Sequence, residues 1–350
     1  MMETKLLELP FQDAQRVFNR LYYQRGGKHA RDFQTSASSG TALPFAEAEN
    51  FHSHLSQLAS SSSLPYSIRI LELGPGNGSS AARFLNRLLA LDKKSGTNFY
   101  PRIEYILADF SYQMLDSARE NKLLRRHMKK LTFTQCDAES LRFSEGDFLL
   151  VRANELLDDL PTQILTRDGG RFFEVRLALH LDPKTPITRK NGSHLPRREF
   201  ARLASHGSRE LSQIDGKFVK HLSLEVSRKP AHPDITAAFF IMDAFKDFPE
   251  NALIPVPFAA SSAILSLKSL LHPKGRIDFF DYGFNSLQEL EEVQSAIFRT
   301  PGALAAFVNF PYLIRAAKLA GFSNTMIEPQ QKFAPKARKL EHGYHLRIER

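Results

Sequence analysis

Tryptophan is absent from the 350 residues, and cysteine occurs once, at Cys136. A single thiol excludes an internal disulfide, and with it a disulfide-stapled or cysteine-ligated zinc scaffold. Long apolar runs are missing too. The best stretch, Ala252 to Leu267, is broken by Pro255 and Pro257 and dotted with serines, short of the roughly 18 residues that a membrane span needs. Met1 to Pro10 carries Glu3, Lys5 and Glu8 and lacks an apolar h-region or an Arg/Ser-rich amphipathic character. No signal or transit peptide is therefore expected, and a soluble cytoplasmic protein is. The pairs His52-x-His54 and His342-x-x-His345 have no third ligand at metal spacing, so no metal site is expected. No G-x-S-x-G elbow occurs, which argues against a hydrolase. No internal repeat is found.

What is present suffices for a full core: 42% of the residues are hydrophobic and 24% charged, ordinary globular usage. The net charge of +9 is concentrated. Between Pro183 and His232 eleven basic residues face four acidic ones, a surplus of +7 in one segment that reads as irregular. Such a segment either docks on an acidic partner or nucleic acid, or forms a solvated surface insertion. It has none of the interleaved aromatics that stack bases, so nucleic acid is not the expected partner.

Beyond the serine run Ala59 to Ser63, strand and helix patterns alternate. Ile68 to Leu73 is a β-rich run stopped by Gly74. Ser79 to Leu91 places Ala81, Ala82, Phe84, Leu85, Leu88 and Leu89 at helical spacing. Ile103 to Ala108 is a second strand, and Ser111 suits the N-cap of a helix holding Met114, Leu115 and Ala118. Leu131 to Cys136 and Phe148 to Ala153 are a third and fourth strand. After the basic segment come a helix (Phe258 to Leu271), a strand (Gly275 to Phe280), a helix (Pro311 to Ala320) and two tail strands near Ser323 to Ile327 and Tyr344 to Ile348. The series predicts an α/β fold with a doubly wound, mostly parallel sheet of seven strands and a late antiparallel pair.

The strongest local signal is Glu72-Leu73-Gly74-Pro75-Gly76-Asn77-Gly78. It closes a strand and opens a helix, the setting in which a glycine-rich turn meets a ligand. The spacing is G-x-G-x-G. The dinucleotide pattern needs a glycine where Ser79 stands, and a P-loop needs a Gly-Lys-Ser/Thr ending. S-adenosyl-L-methionine has no phosphates, but it has a cationic sulfonium, an ammonium group and a ribose diol. Carboxylates at strand ends suit those groups, and Glu72, Asp109 and Asp137 stand there in order.

Asn154-Glu155-Leu156-Leu157-Asp158-Asp159-Leu160-Pro161 follows the fourth strand directly, where this fold faces the transferable methyl group. Methyl transfer needs a nucleophile aimed at the sulfonium methyl. A guanidinium is a poor nucleophile, and paired carboxylates can hold it and localise its charge. Glu155 and Asp158, three apart, share a face if the segment is a helical turn; alternatively, they are acids favoured near a helix N-terminus.

These segments resemble the MidA-like S-adenosylmethionine-dependent methyltransferases, a family that includes the mitochondrial complex I assembly factor that methylates an arginine of a complex I subunit. Arg31-Asp32-Phe33-Gln34-Thr35-Ser36 looks like the family's G-D-F-x-T-S element. Glu72 to Gly78 resembles its E-x-G-P-G-x-G loop, and Asn154 to Pro161 its N-E-x-x-D-A-L-P motif. Asp281-Tyr282-Gly283 matches its D-Y-G, Asp109-Phe110-Ser111 is similar to its E-x-S, and Phe307 to Phe310 resembles its V-D-F. The likeness runs from about residue 20 to 330. Arg31, Asp159 and Asn309 depart from it, standing where the family has Gly, Ala and Asp.

The resemblance implies a class I, Rossmann-like methyltransferase core with S-adenosyl-L-methionine as cofactor and a protein arginine as acceptor. The cofactor set is then Glu72, Gly74, Gly76, Gly78, Asp109, Ser111, Asp137 and Asn154. Glu155 and Asp158 are the catalytic candidates, with Asp32 to Ser36 as a lid. Residues 1–63 are expected as an N-terminal helical or loop extension covering the cofactor site, 64–182 and 251–350 as the core, and 183–250 as a basic insertion. A small-molecule O- or N-methyltransferase, and a cofactor-binding assembly factor without turnover, are the alternative readings.

Overall fold

The computed structural model of the chain describes residues 4–25, 40–143, 147–207, 209–234, 248–293, 295–299 and 303–350. The chain divides into two compact units. One comprises Gly26–Leu156, Ala263–Tyr282 and Ala317–Arg350; the other comprises Met1–Arg25, Leu157–Ser262 and Gly283–Ala316.

The first unit is built on seven strands: β1 (Ile68–Leu73), β2 (Ile103–Asp109), β3 (Leu131–Gln135), β4 (Phe148–Asn154), β5 (Leu271–Phe284), β6 (Asn324–Pro329) and β7 (Gly343–Glu349). Their order is β6-β7-β5-β4-β1-β2-β3. β1 to β5 pair in parallel, while β7 runs antiparallel to both β5 and β6. The mostly parallel sheet with a late antiparallel pair is thus as expected; an eighth, two-residue strand, Val308–Asn309, pairs in parallel with the end of β5. The chain starts in the middle at β1, winds outward to β3, then crosses to β4 on the other side. That reversal opens a crevice at the carboxyl ends of β1 and β4, where ligands bind in open α/β sheets.

One face of the sheet is covered by α1 (Ala42–Ser60) and α2 (Ser79–Ser95). Ile68, Ile70, Tyr105 and Leu150 pack there against Phe51, Leu55, Phe84 and Leu88. α2 is amphipathic as read, and it stops at Gly96 (φ +69°) just after Lys93 and Lys94. That left-handed glycine and those last-turn cations suit a helix C-terminus. α3 (Tyr112–Arg119) begins at Ser111, whose hydroxyl accepts the Met114 amide.

The β5–β7 pair carries a buried polar cluster. Asp278 Oδ1 lies 3.0 Å from His345 Nε2 and 2.7 Å from Arg347 Nε, and Glu328 Oε1 lies 3.2 Å from His345 Nδ1. The imidazole stacks on Phe280 at 4.5 Å. Burial opposes its charge, but the two carboxylates prevail and raise its pKa above 6.5. A raised histidine stabilises the fold fully below its unfolded value and loses that contribution as pH rises through the folded value. The difference in unfolding free energy between wild type and His345→Gln is therefore expected to shrink above about pH 6.5. Urea denaturation across pH 6 to 9 checks this.

The second unit has its own antiparallel sheet. Strand Arg171–Leu181 pairs with Thr4–Pro10, Gln163–Asp168 and Ser223–Pro230. Two expectations change here. Thr4–Pro10 is a strand rather than helix or loop, and the basic segment is not irregular. It contains a helix (Arg197–Ser205), two short 3₁₀ turns and the strand Ser223–Pro230. Ile187, Leu195, Phe200, Leu211, Ile214 and Phe218 are buried in this unit's core. The elements are short and interrupted by Pro196 and Gly207, so no window holds a clear period.

Candidate active site

The turn between β1 and α2 takes the shape that its glycines allow. Gly74, Gly76 and Gly78 have φ of +62°, +55° and +72°. A Cβ on Gly78 would lie 2.5 Å from Leu124 Cδ1, whereas one on Gly76 would meet nothing within 4 Å. Gly78 is thus needed for packing, and Gly76 leaves its backbone open to an approaching ligand. The turn is braced by Asn121, whose amide donates to Asn77 O at 2.7 Å and to Ser79 Oγ at 3.1 Å. Gly78→Ala is expected to lose about 1–2 kcal/mol from left-handed strain alone, with a further loss where Leu124 must move. Gly76→Ala, with equal strain and open space, is expected to destabilise less. Denaturant unfolding of the pair checks the ranking.

Asp109 ends β2 and is 8% exposed. Its Oδ1 accepts the Ser111 amide at 2.8 Å. Burial raises its pKa to about 7, the nearby Asp137 charge adds to the rise, and the Ser111 hydrogen bond opposes it. Among the described residues no cation offsets that burial. A carboxylate so placed is short of donors, which the two hydroxyls of a ribose supply. Asp137 follows β3, and its side chain accepts the Glu139 amide at 3.0 Å. Ser111 is 1% exposed; it caps α3 and fixes Asp109.

Glu72 sits in a buried network that its neighbours in sequence do not reveal. Tyr105 donates its hydroxyl proton to Glu72 Oε2. Arg152, 1% exposed, lies across the strand pair from Glu72. Its guanidinium donates to Glu47 Oε1 and Oε2 at 2.9 and 2.5 Å, to Ser80 Oγ at 2.8 Å and to the Tyr105 hydroxyl at 3.0 Å. It also lies 3.7 Å from Glu72 Oε2 and stacks over Phe84 at 4.8 Å. Arg152, Glu47, Tyr105 and Ser80 thus hold the base of the glycine turn. The sequence signal was a lone arginine inside the apolar strand Phe148 to Asn154.

β4 ends at Asn154, and the helical turn expected after it does not form. Glu155 has φ +50°, a left-handed conformation that costs about 1–2 kcal/mol in a residue with a side chain. The turn is held from β5: the Glu155 amide donates to Phe280 O at 2.8 Å and the Leu156 amide to Asp281 Oδ2 at 3.0 Å. Asp281 Oδ1 accepts the Tyr282 amide at 2.8 Å. Phe280 and Asp281 therefore set the backbone at Glu155 and Leu156. Because the segment is not helical, the three-residue spacing no longer puts Glu155 and Asp158 on a shared face.

Asp158 and Asp159 belong to the second unit. Asp158 is 7% exposed, and its carbonyl accepts from Gln15 Nε2 at 2.8 Å and from the Ala306 amide at 3.0 Å. Asn19 donates to Asp159 O at 2.9 Å, and Tyr23 donates to Asp159 Oδ2. Gln15, Asn19 and Tyr23 recur every four residues, so one polar stripe of the helix Phe11–Tyr23 clasps this loop. Asp159 is thereby matched by a hydroxyl. Asp32 to Ser36 lie outside the described residues. Among the described residues no group of His, Cys, Asp and Glu is placed to hold a metal, and no helix is long and apolar enough to cross a membrane.

The open Gly76 backbone and the donor-poor Asp109 fit an adenosyl ligand without phosphates. Residues 48–326, about four fifths of the chain, match the family of S-adenosyl-L-methionine-dependent methyltransferases. Among solved structures, the native crystal structure of an uncharacterized protein from Burkholderia thailandensis is similar with TM-score 0.64 at 18% identity, over 98% of this chain and 87% of that one. Another Burkholderia thailandensis structure, bound to S-adenosyl-homocysteine, is similar with TM-score 0.63 at 18% identity, over 98% and 88%. Both share this fold. No curated protein matches the chain.

Proposed function

This chain belongs to the family of S-adenosyl-L-methionine-dependent methyltransferases, and we propose that it places the methyl group on a protein side chain, with arginine as the first acceptor. S-adenosyl-L-methionine is the cofactor; when bound it supplies an electrophilic methyl on a positively charged sulfur. In this reading Gly74, Gly76 and Gly78 give it a turn free of side chains. Asp109, oriented by Ser111, accepts its ribose hydroxyls, and Asp137 accepts from the adenine amino group. Glu72 meets its ammonium group through Oε1, which has no protein partner among the described residues. Asn154 closes the β4 side.

The observation that carries the acceptor assignment is Glu155. It is the acid directly beyond the β4 tip, half-buried, with its backbone held in a strained turn by Phe280 and Asp281. Strain of this kind persists where surrounding structure over-determines it, and it concentrates at active sites. A carboxylate there can hold a guanidinium and take up the proton released as nitrogen is alkylated. Asp158 is the second proposed acid. Asp158→Asn tests it separately, because the loop it stands on is held through main-chain carbonyls that the substitution leaves in place.

Incubating the protein with isotopically labelled S-adenosyl-L-methionine and a cell lysate tests the acceptor class. Label in a protein band, recovered as methylarginine after hydrolysis, is the expected result. Label confined to an extractable small molecule would refute a protein acceptor.

A further inference from the structure

A second basic segment, smaller than Pro183 to His232, carries a different signature. Lys122–Lys130 (Lys-Leu-Leu-Arg-Arg-His-Met-Lys-Lys) is a run of 3₁₀ turns with five Lys or Arg residues and no acid. A 3₁₀ period of three stacks its residues into three ridges. The ridge Leu124, His127, Lys130 faces inward. Leu124 backs Gly78, and His127 lies 2.6 Å from the Tyr100 hydroxyl and 2.9 Å from Asn86 Oδ1. Lys130 donates to Pro101 O. The other two ridges, Lys122-Arg125-Met128 and Leu123-Arg126-Lys129, face outward, each with two cations and one apolar residue.

Three observations separate this face from an ordinary solvated one. Lys122, Arg125, Arg126 and Lys129 have no ion-pair partner among the described residues. In the larger basic segment, by contrast, Arg189, Arg228 and Lys229 are matched by Glu199, Asp168 and Glu8. Leu123 is 48% and Met128 39% exposed although both sit among cations. Tyr66, at 91%, is the most exposed large apolar side chain described, and its main chain is tied toward the Lys130 end of this segment. Arg102 donates to Tyr66 O at 2.8 Å, one residue from the Pro101 carbonyl that Lys130 binds.

We propose that the outward face of Lys122–Lys130, together with Tyr66, docks on the surface of an anionic phospholipid bilayer. Unpaired cations attract lipid phosphates. Exposed Leu and Met side chains enter the headgroup boundary, and a tyrosine sits where one end is apolar and the other wet. The inward ridge, pinned to the glycine turn and to α2, keeps the cations facing out. Nucleic acid is disfavoured because no aromatic stands between the cations to stack a base.

Flotation of the full chain with phosphatidylcholine vesicles, with and without phosphatidylglycerol, tests this. Binding is expected only with phosphatidylglycerol and is expected to weaken with salt. Arg125→Ala with Arg126→Ala should weaken it by roughly 5-fold per cation removed, and Leu123→Ser with Met128→Ser should weaken it as well. The arginine pair touches no ligand-binding residue, so unchanged S-adenosylhomocysteine affinity certifies that the variant is folded. Absence of binding, or binding indifferent to the arginine substitutions, would overturn the proposal. Binding to an RNA homopolymer as tight as to the vesicles, with no effect of the Leu and Met substitutions, would overturn it too.

Discussion

Glu155→Gln is expected to lower kcat by roughly 10²- to 10³-fold, the range for losing a positioned base or charge-stabilising group, while S-adenosylhomocysteine affinity changes by less than about twofold. The amide keeps the size of the side chain and leaves the main-chain bonds to Phe280 and Asp281 intact. What it removes is the charge proposed to hold a guanidinium and accept its proton. Glu155→Asp should recover part of the rate, since it restores the charge on a shorter arm. Asp281→Asn acts differently. It weakens the acceptor for the Leu156 amide and so loosens the turn, which should raise KM and lower kcat together. If Glu155→Gln retains wild-type turnover, the acceptor is oriented elsewhere.

Arg152→Met carries the largest expected loss of stability. The guanidinium makes four hydrogen bonds in a core from which water is excluded, and two carboxylates depend on it. Removing one member of a buried ionic cluster leaves the remaining charges uncompensated and typically costs about 3–5 kcal/mol. Glu47 and Glu72 are the groups left behind. The double variant Arg152→Met with Glu47→Leu should therefore be more stable than Arg152→Met alone, because one stranded carboxylate goes with its partner. Because Glu72 stands at the start of the glycine turn, both variants should bind the cofactor weakly whatever their stability. Equilibrium unfolding in urea reads the first effect, and calorimetry the second.

The parts of the molecule that were legible in sequence are those where local pattern and tertiary role coincide. Ile68 to Gly78 shows a strand, a glycine turn and a helix start within a dozen residues, and each follows from local chemistry. The strand series through Phe148, and even the tail pair β6 and β7, kept its alternation because each strand is bounded by turn residues. Arg152 and Glu47 were not legible as partners, since 105 residues separate them; the register of β1 against β4 sets Arg152 beside Glu72, and the packing of α1 on the sheet brings in Glu47. The Glu155 turn was misread because acids three apart fit a helix. The deciding interaction, the Asp281 carboxylate on the Leu156 amide, comes from 125 residues away. The strand Thr4–Pro10 escaped notice for a similar reason, as its partner lies beyond residue 170. The charge of Lys122–Lys130 is small beside the surplus in Pro183 to His232, so composition does not single it out. Only burial and pairing tell an unmatched cation from a matched one.

Titration calorimetry of S-adenosylhomocysteine at pH 6 and pH 8 tests most directly the proposal that Asp109 and the glycine turn seat the adenosyl group. Burial pushes the pKa of Asp109 up to about 7, and only its ionised form can accept both ribose hydroxyls. The ionised fraction therefore grows between the two pH values, and affinity should rise by roughly tenfold from pH 6 to pH 8. Asp109→Asn should bind more weakly at both and show no such rise. Equal affinities in wild type and variant, unmoved by pH, would contradict the account.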